Sequence, residues 1–338
     1  MAADKGRSVA DLAISNTNVS QPAWMSRAKA LSRLRISDKA FFHITRVAAY
    51  FVLILLGAII VSLIIGAAPA LSKFGFGFLV SERWNPVTEN FGALAPIYGT
   101  VVTSLIAMII AVPLGLLITL FLTEICPTWL RRPISIAIEL LAGIPSIIYG
   151  IWGLFVFAPF LQRTLQPFLI NTFGDIPVLS TLFAGPPYGI GVLTSGLILA
   201  IMVLPFITSI SRDVFEAVPP MLKEAAYGLG FTTWEVVRYV VLPYARVGVI
   251  GGVMLGLGRA LGETMAVTFV IGNAHKVSSS LLAPGTTISA TIANEFTEAV
   301  GDIYTSSLIA LGLLLFCITF IVLAAARFML MRIEKQIG

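Results

Sequence analysis

The chain has 338 residues, of which 57% are hydrophobic and 12% charged. Soluble globular chains carry about 25% charged residues, and the strongly positive mean hydropathy leaves too little polar surface to cover a water-soluble fold of this size. The net charge of +5 does not mark a nucleic-acid partner, because eight of the 22 basic residues precede position 47 and the rest are scattered between apolar runs.

The first 46 residues are polar and basic, with no short apolar stretch and cleavage site near the start, so no secretory leader is expected. Residues before about Pro22 have no apolar periodicity and read as disordered. From Trp24 to Arg46 basic residues alternate with Trp24, Leu31, Leu34, Ile36, Phe41 and Phe42. Such a segment lies against anionic headgroups of membrane lipid, or forms an amphipathic elbow helix that braces the helix bundle.

A helix needs about 20 largely apolar residues to cross the hydrocarbon core. Six segments qualify: Val47–Leu71, Ile97–Thr123, Ile134–Phe160, Tyr188–Ser211, Val247–Ile271 and Ser306–Leu330. In lipid each backbone N–H must be paired within its own segment, so all six are helices, and Pro113, Pro145 and Pro205 mark kinks. Sixteen basic residues fall in the two termini and the Glu124–Pro133 and Arg212–Arg246 loops, with Arg327 at the adjoining end of span six, against four in the alternate loops. That asymmetry puts both termini in the cytoplasm.

The longest cytoplasmic loop reads DVFEAVPPMLKEAAYGLGFTTWEVVRYVVLP from Asp213 to Pro243. Pro219 and Pro220 open a helix, Gly228 and Gly230 end it, and an apolar-faced stretch from Thr232 leads to Leu242-Pro243, giving two short helices around a glycine break. Glu224-Ala225-Ala226, Gly230, Val240 and Leu242-Pro243 stand at the spacings of the cytoplasmic signature of ATP-binding-cassette importer permeases, with Val in place of the usual Ile. The chain resembles that family over roughly Ile97 to Leu330. The resemblance implies an all-α integral membrane protein with six transmembrane helices and the type I ABC importer permease fold. It also implies that Glu224, Ala225, Ala226, Gly230, Leu242 and Pro243 form a coupling element docking into a groove of an ATPase. None of the seven lysines follows a glycine, so the chain carries no phosphate-binding loop of its own, and ATP and Mg belong to a partner ATP-binding cassette dimer.

Charge within a span is costly and points to function. Three charges lie well inside: Glu139 near the start of span three, and Arg259 and Glu263 in span five. Arg259 and Glu263 are four residues apart and are expected on one helix face, in the weaker order for a purely structural pair. Arginine's planar fork matches the oxygens of an oxyanion, and a carboxylate beside it accepts the O–H that hydrogen phosphate keeps and sulfate lacks. Pro145-Ser146 could break span three and aim free N–H groups at an anion, a weaker candidate than Arg259. Glycines at 252/256 and 258/262 are read as tight helix packing, against the equivalent helix of a partner permease. Tyr149, Trp152, Phe155 and Phe157 read as lipid-facing or packing residues. Cys126 and Cys317, and His43 and His275, have neither disulfide-framework nor metal-ligand spacing.

The segments GLGRALGETMAV (Gly256 to Val267) and LAGIPSIIYG (Leu141 to Gly150) closely resemble phosphate-importer permeases, and FGALAPIYGTVVTSL (Phe91 to Leu105) resembles the PstC-type branch. That resemblance implies that Arg259 and Glu263 line the substrate pathway, and Ser146 and Thr264 are candidates for the same pathway. The partners implied are a PstA-type second permease, the ATPase dimer and an extracytoplasmic phosphate-binding protein. The location implied is the bacterial inner membrane. The chain then divides into a tail (1–46), a first span (47–71), an extracytoplasmic loop (72–96), a permease core (97–331) holding the coupling loop (212–246), and a cytoplasmic end (332–338). Import of another oxyanion or solute by the same machine is the alternative within transport. A lipid-modifying membrane enzyme lacks the paired carboxylates or His/Asp cluster it needs, three intramembrane charges make a thin relay for a proton-coupled transporter, and a signalling role through a partner kinase has no residue to carry it.

Overall fold

The computed structural model describes residues 27–335. Among these the regular elements are all helices, relieved only by an isolated bridge between Asn85 and Asn90. Six helices are long and apolar enough to cross a membrane: Ser37–Phe74, Leu94–Ile125, Ser146–Phe173, Val192–Glu216, Thr233–Leu261 and Asp302–Phe328, called spans one to six. The all-helical, six-span architecture is the one expected from the apolar runs.

By compactness the chain divides at Val61. Over its described residues the first unit is part of one unbroken helix that runs from Arg27 to Phe74. Its side chains over residues 47–61 are largely apolar, among them Phe51, Val52, Leu53 and Ile54, as a membrane-crossing helix requires. Trp24 and everything before Arg27 lie outside the described residues, as do the side chains of Leu31, Leu34 and Ile36, so the amphipathic segment expected there falls largely outside them.

The second unit is built around span four. Of its most apolar stretch 61% is buried, against 6–33% for the other spans, which makes it the central helix. Span two packs along it: a Cβ on Gly115 would lie 3.0 Å from Ile207 Cγ2, and Thr119 Oγ1 donates to the Thr208 carbonyl at 3.2 Å. Their shared core holds Ala107, Ala111, Ile198, Leu199, Met202, Val203 and Ile207. A second core, with Phe78, Phe91, Tyr304 and Leu308, joins the end of span one to span six, where the Ala70 N–H donates to Ser306 Oγ at 2.9 Å.

Three spans begin well away from where the hydropathy of the sequence suggests: span one starts at Ser37, ahead of the expected Val47, and spans three and five are also displaced. Hydropathy starts span three at Ile134, but residues Thr128–Ala142 form a separate amphipathic helix, and the spanning helix starts at Ser146. Pro145, with no N–H and an extended ψ of 138°, cannot continue the first helix, and the chain restarts after it. Span five, expected over Val247–Ile271, runs Thr233–Leu261. It starts earlier because Val237–Val241 form a widened π turn, closed by Leu242 N–H on the Val237 carbonyl. That turn absorbs the N–H which Pro243 cannot supply, so Leu242-Pro243 sit inside a continuous helix.

Candidate functional site

Span five meets span four through glycines. A Cβ on Gly248 would lie 2.6 Å from Val214 Cγ1, one on Gly252 2.9 Å from Ile210 Cγ2, and one on Gly256 2.9 Å from Ile207 Cγ1. The close packing expected of this glycine stripe is therefore realised inside the chain, against span four. It brings Arg259, one turn beyond Gly256, over the ring of Phe206, with Cζ 4.1 Å from the ring centre. Arg259 Nε is buried without a hydrogen-bond partner, and among the described residues no ion pair joins Arg259 to a carboxylate.

The expectation that Arg259 and Glu263 share a helix face is corrected. The helix ends at Leu261, and Gly262 (φ −92°, ψ 0°) and Thr264 (φ −114°, ψ −66°) turn the chain before a short helix, Met265–Val270, begins. Glu263 stands in this break: its Oε1 accepts the Ala266 N–H at 3.3 Å, and its carbonyl accepts Ser289 Oγ at 2.7 Å. Thr264 opens the short helix and accepts Thr268 Oγ1 at its carbonyl, 2.7 Å away. The Met265–Val270 helix packs on the start of span three. A Cβ on Gly150 would meet the Phe269 ring at 2.7 Å and the Met265 carbonyl oxygen at 3.1 Å, and one on Gly153 would meet Val270 Cγ1 at 3.2 Å. This parallel register sets the opening turn that carries Ser146 beside the one that carries Thr264. Tyr149, on the same turn, is buried and bonds across the Pro145 break to the Leu141 carbonyl at 2.8 Å.

Glu139 does not belong to that group. It sits on the Thr128–Ala142 helix, outside the six spans, where its half-exposed carboxylate accepts Arg212 Nη2 at 2.8 Å. A charge expected deep in a span is thus a paired one at the end of span four.

The loop after span four folds as a helix, Pro220–Gly228, with Glu224 and Ala225 exposed and Ala226 buried among Phe215, Val218, Val236 and Val241. Gly230 has φ +87°, the left-handed region that glycine enters without strain, and this lets Phe231 N–H reach back to the Ala226 carbonyl at 3.2 Å. Thr232 and Glu235 then cap the next helix reciprocally. The second short helix expected here is instead the opening of span five, because the π turn carries the helix on through Pro243. Lys223 Nζ reaches Glu124 Oε1 at 2.6 Å, and that carboxylate is only 6% exposed, so the loop is pinned to the end of span two. Met221, Leu229 and Trp234 remain uncovered around Glu224.

A third constellation has no signature in the sequence. Glu295 accepts Trp84 Nε1, Tyr304 Oη at 2.8 Å and His275 Nε2 at 2.8 Å, while Trp84 stacks on His275 with ring centres 5.1 Å apart. Burial pushes the Glu295 carboxyl up, but the hydrogen bonds from His275, Tyr304 and Trp84 outweigh it and hold it below the usual carboxylate range. No cluster of three metal-ligating side chains occurs among the described residues.

Residues 111–335 match the model of a protein family described as the binding-protein-dependent transport system inner membrane component. The chain belongs to this family. Phosphate transport system permease protein PstC of Mesorhizobium japonicum is 69% identical over 93% of this chain and 96% of its own length. The protein of the same name from Pasteurella multocida is 58% identical over 90% and 94%, and PstC 1 of Mycobacterium tuberculosis is 40% identical over 80% and 86%. The resemblance to phosphate-importer permeases drawn from three short segments, one of them PstC-type, therefore extends over most of the chain. A crystal structure of a bacterial ABC transporter involved in alginate import matches 90% of this chain and 99% of its own, at 16% identity and a TM-score of 0.54. That likeness gives the type I importer permease fold to this inner-membrane transport component, and nothing about its cargo.

Proposed function

We propose that this permease forms half of the translocation pathway of an ATP-driven importer of inorganic phosphate. The observation that carries the reading is Arg259, a permanent cation in the membrane-spanning region with no carboxylate paired to it among the described residues. A passing oxyanion is the partner such a guanidinium lacks, and the relatives named for phosphate transport supply the cargo class. Glu263, with one oxygen on the Ala266 N–H, keeps acceptor capacity for the O–H of hydrogen phosphate, which favours phosphate over sulfate. Ser146 and Thr264 flank the same level of the pathway.

The finer assembly is part of the same proposal. Both termini face the cytoplasm, as the asymmetry of basic residues argues. A PstA-type permease completes the pathway, an ATPase dimer docks on Glu224, Ala225 and the uncovered side chains near them, and an extracytoplasmic phosphate-binding protein delivers the cargo. ATP and Mg are held by the ATPase, and this chain needs no cofactor.

The test is ATP-driven uptake of labelled phosphate into vesicles holding the assembled complex, with Arg259→Gln beside the wild type. Loss of uptake in the variant with assembly intact, and wild-type uptake that unlabelled sulfate does not compete away, are the expected results. Full uptake in the variant would return Arg259 to a packing role, and absence of phosphate uptake in the wild type would remove the cargo assignment.

A further inference from the structure

Arg259 is seated by something other than an opposite charge. Its guanidinium lies over the ring of Phe206, 4.1 Å from Cζ to ring centre, on the most buried of the six spans. The ring's position is set by its neighbours: Ile207 and Val203 fill the groove over Gly256, so Phe206 faces the next turn of span five. A ring face attracts a cation through its quadrupole, and more strongly where water is excluded. It differs from a carboxylate in two ways that bear on transport. It takes up none of the N–H donors on the terminal nitrogens, and it leaves the full positive charge in place. A carboxylate in the same position would occupy the fork and cancel the field an incoming anion needs.

We propose that Phe206 is a positioning residue for oxyanion passage, holding the Arg259 guanidinium by its ring face so that its terminal N–H donors and its charge stay available to phosphate. The inference rests on the reading of Arg259 as a pathway residue. The buried, unpartnered Nε fits it: one edge of the guanidinium is turned into protein with nothing to bond, which orients the opposite edge outward. Glu263 does not do the seating, because the chain break at Gly262 takes it off the helix and no ion pair joins it to Arg259 among the described residues.

The experiment compares Phe206→Leu, which keeps most of the volume and removes the ring, with Phe206→Tyr, which keeps the ring. Both are made in the complete complex in vesicles, and phosphate uptake is divided by ATP hydrolysed. Thermal unfolding and subunit content report assembly. Phe206→Leu is expected to lower uptake per ATP by about fivefold to thirtyfold, Phe206→Tyr to restore it, and Phe206→Leu to add nothing in an Arg259→Gln background. Wild-type coupling in Phe206→Leu, or equal loss in the Leu and Tyr variants with assembly intact, would overturn the proposal while leaving Arg259 in the pathway. Intact uptake in Arg259→Gln alone would overturn the Arg259 reading, and this proposal with it.

Discussion

Gly256 and Gly258 stand two residues apart on one helix yet have different tasks. At Gly256 a side chain would press on Ile207, which is fully buried and cannot move aside, whereas at Gly258 the nearest atom is Leu323 Cδ1 at an ordinary 3.5 Å. Gly256→Val is expected to destabilise the folded chain by about 1–3 kcal/mol through overpacking, with Gly258→Ala close to neutral. Thermal unfolding in detergent separates the two, and equal effects would show that the glycine contact with span four does not set the stability. Spacing alone does not say which glycine matters, since 252/256 and 258/262 repeat the same interval. Phe206 is equally hidden, because a lone phenylalanine in an apolar helix carries no mark of the cation distant in sequence that it faces. Arg259 and Glu263 are legible as charges, but the turn at Gly262 that parts them is not.

The loop after span four shows what a segment's own residues can and cannot reveal. Its first helix, its glycine break and its capping residues follow from local chemistry, and all are readable. The Lys223–Glu124 pair is not, since it joins two segments far apart in the chain. Removing Lys223 leaves a carboxylate that is 6% exposed without its partner, so Lys223→Ala is expected to cost about 3 kcal/mol. Lys223→Ala combined with Glu124→Gln should recover most of that loss. Unfolding of the single and double variants measures it, and identical values would mean the pair contributes nothing. Spans three and five depart from the hydropathy pattern for two reasons of the same kind. Pro145 has the look of a kink within a helix and is a terminator, whereas Pro243 has the look of a helix start and is carried inside a helix by the π turn at Val237–Val241.

Across the second unit as a whole, the polar cluster on Glu295 ties together the segment after span one, the segment before the Ile288–Glu295 helix, and span six. Its carboxyl is held below the ordinary range, so the stabilisation it gives is present above the unfolded value near pH 4.3 and disappears as pH falls through the lower folded value. The wild type is therefore expected to unfold at higher temperature than Glu295→Gln at pH 7, with the gap closing as pH is lowered through about 4. A gap unchanged across that range would show that the charge of Glu295 is not what the cluster recognises.

Span four supplies the ring beneath Arg259 and runs on, without a break, to Glu216, four residues before the Pro220–Gly228 helix begins. From Phe206 to Glu216 the distance along the helix axis is about 15 Å. A rod that short, clamped by close packing on most of its sides, does not bend appreciably under load. A displacement at its Glu216 end is thus carried to the Phe206–Arg259 contact as rigid motion, and the turn over residues 217–219 is the joint between this rod and the Pro220–Gly228 helix.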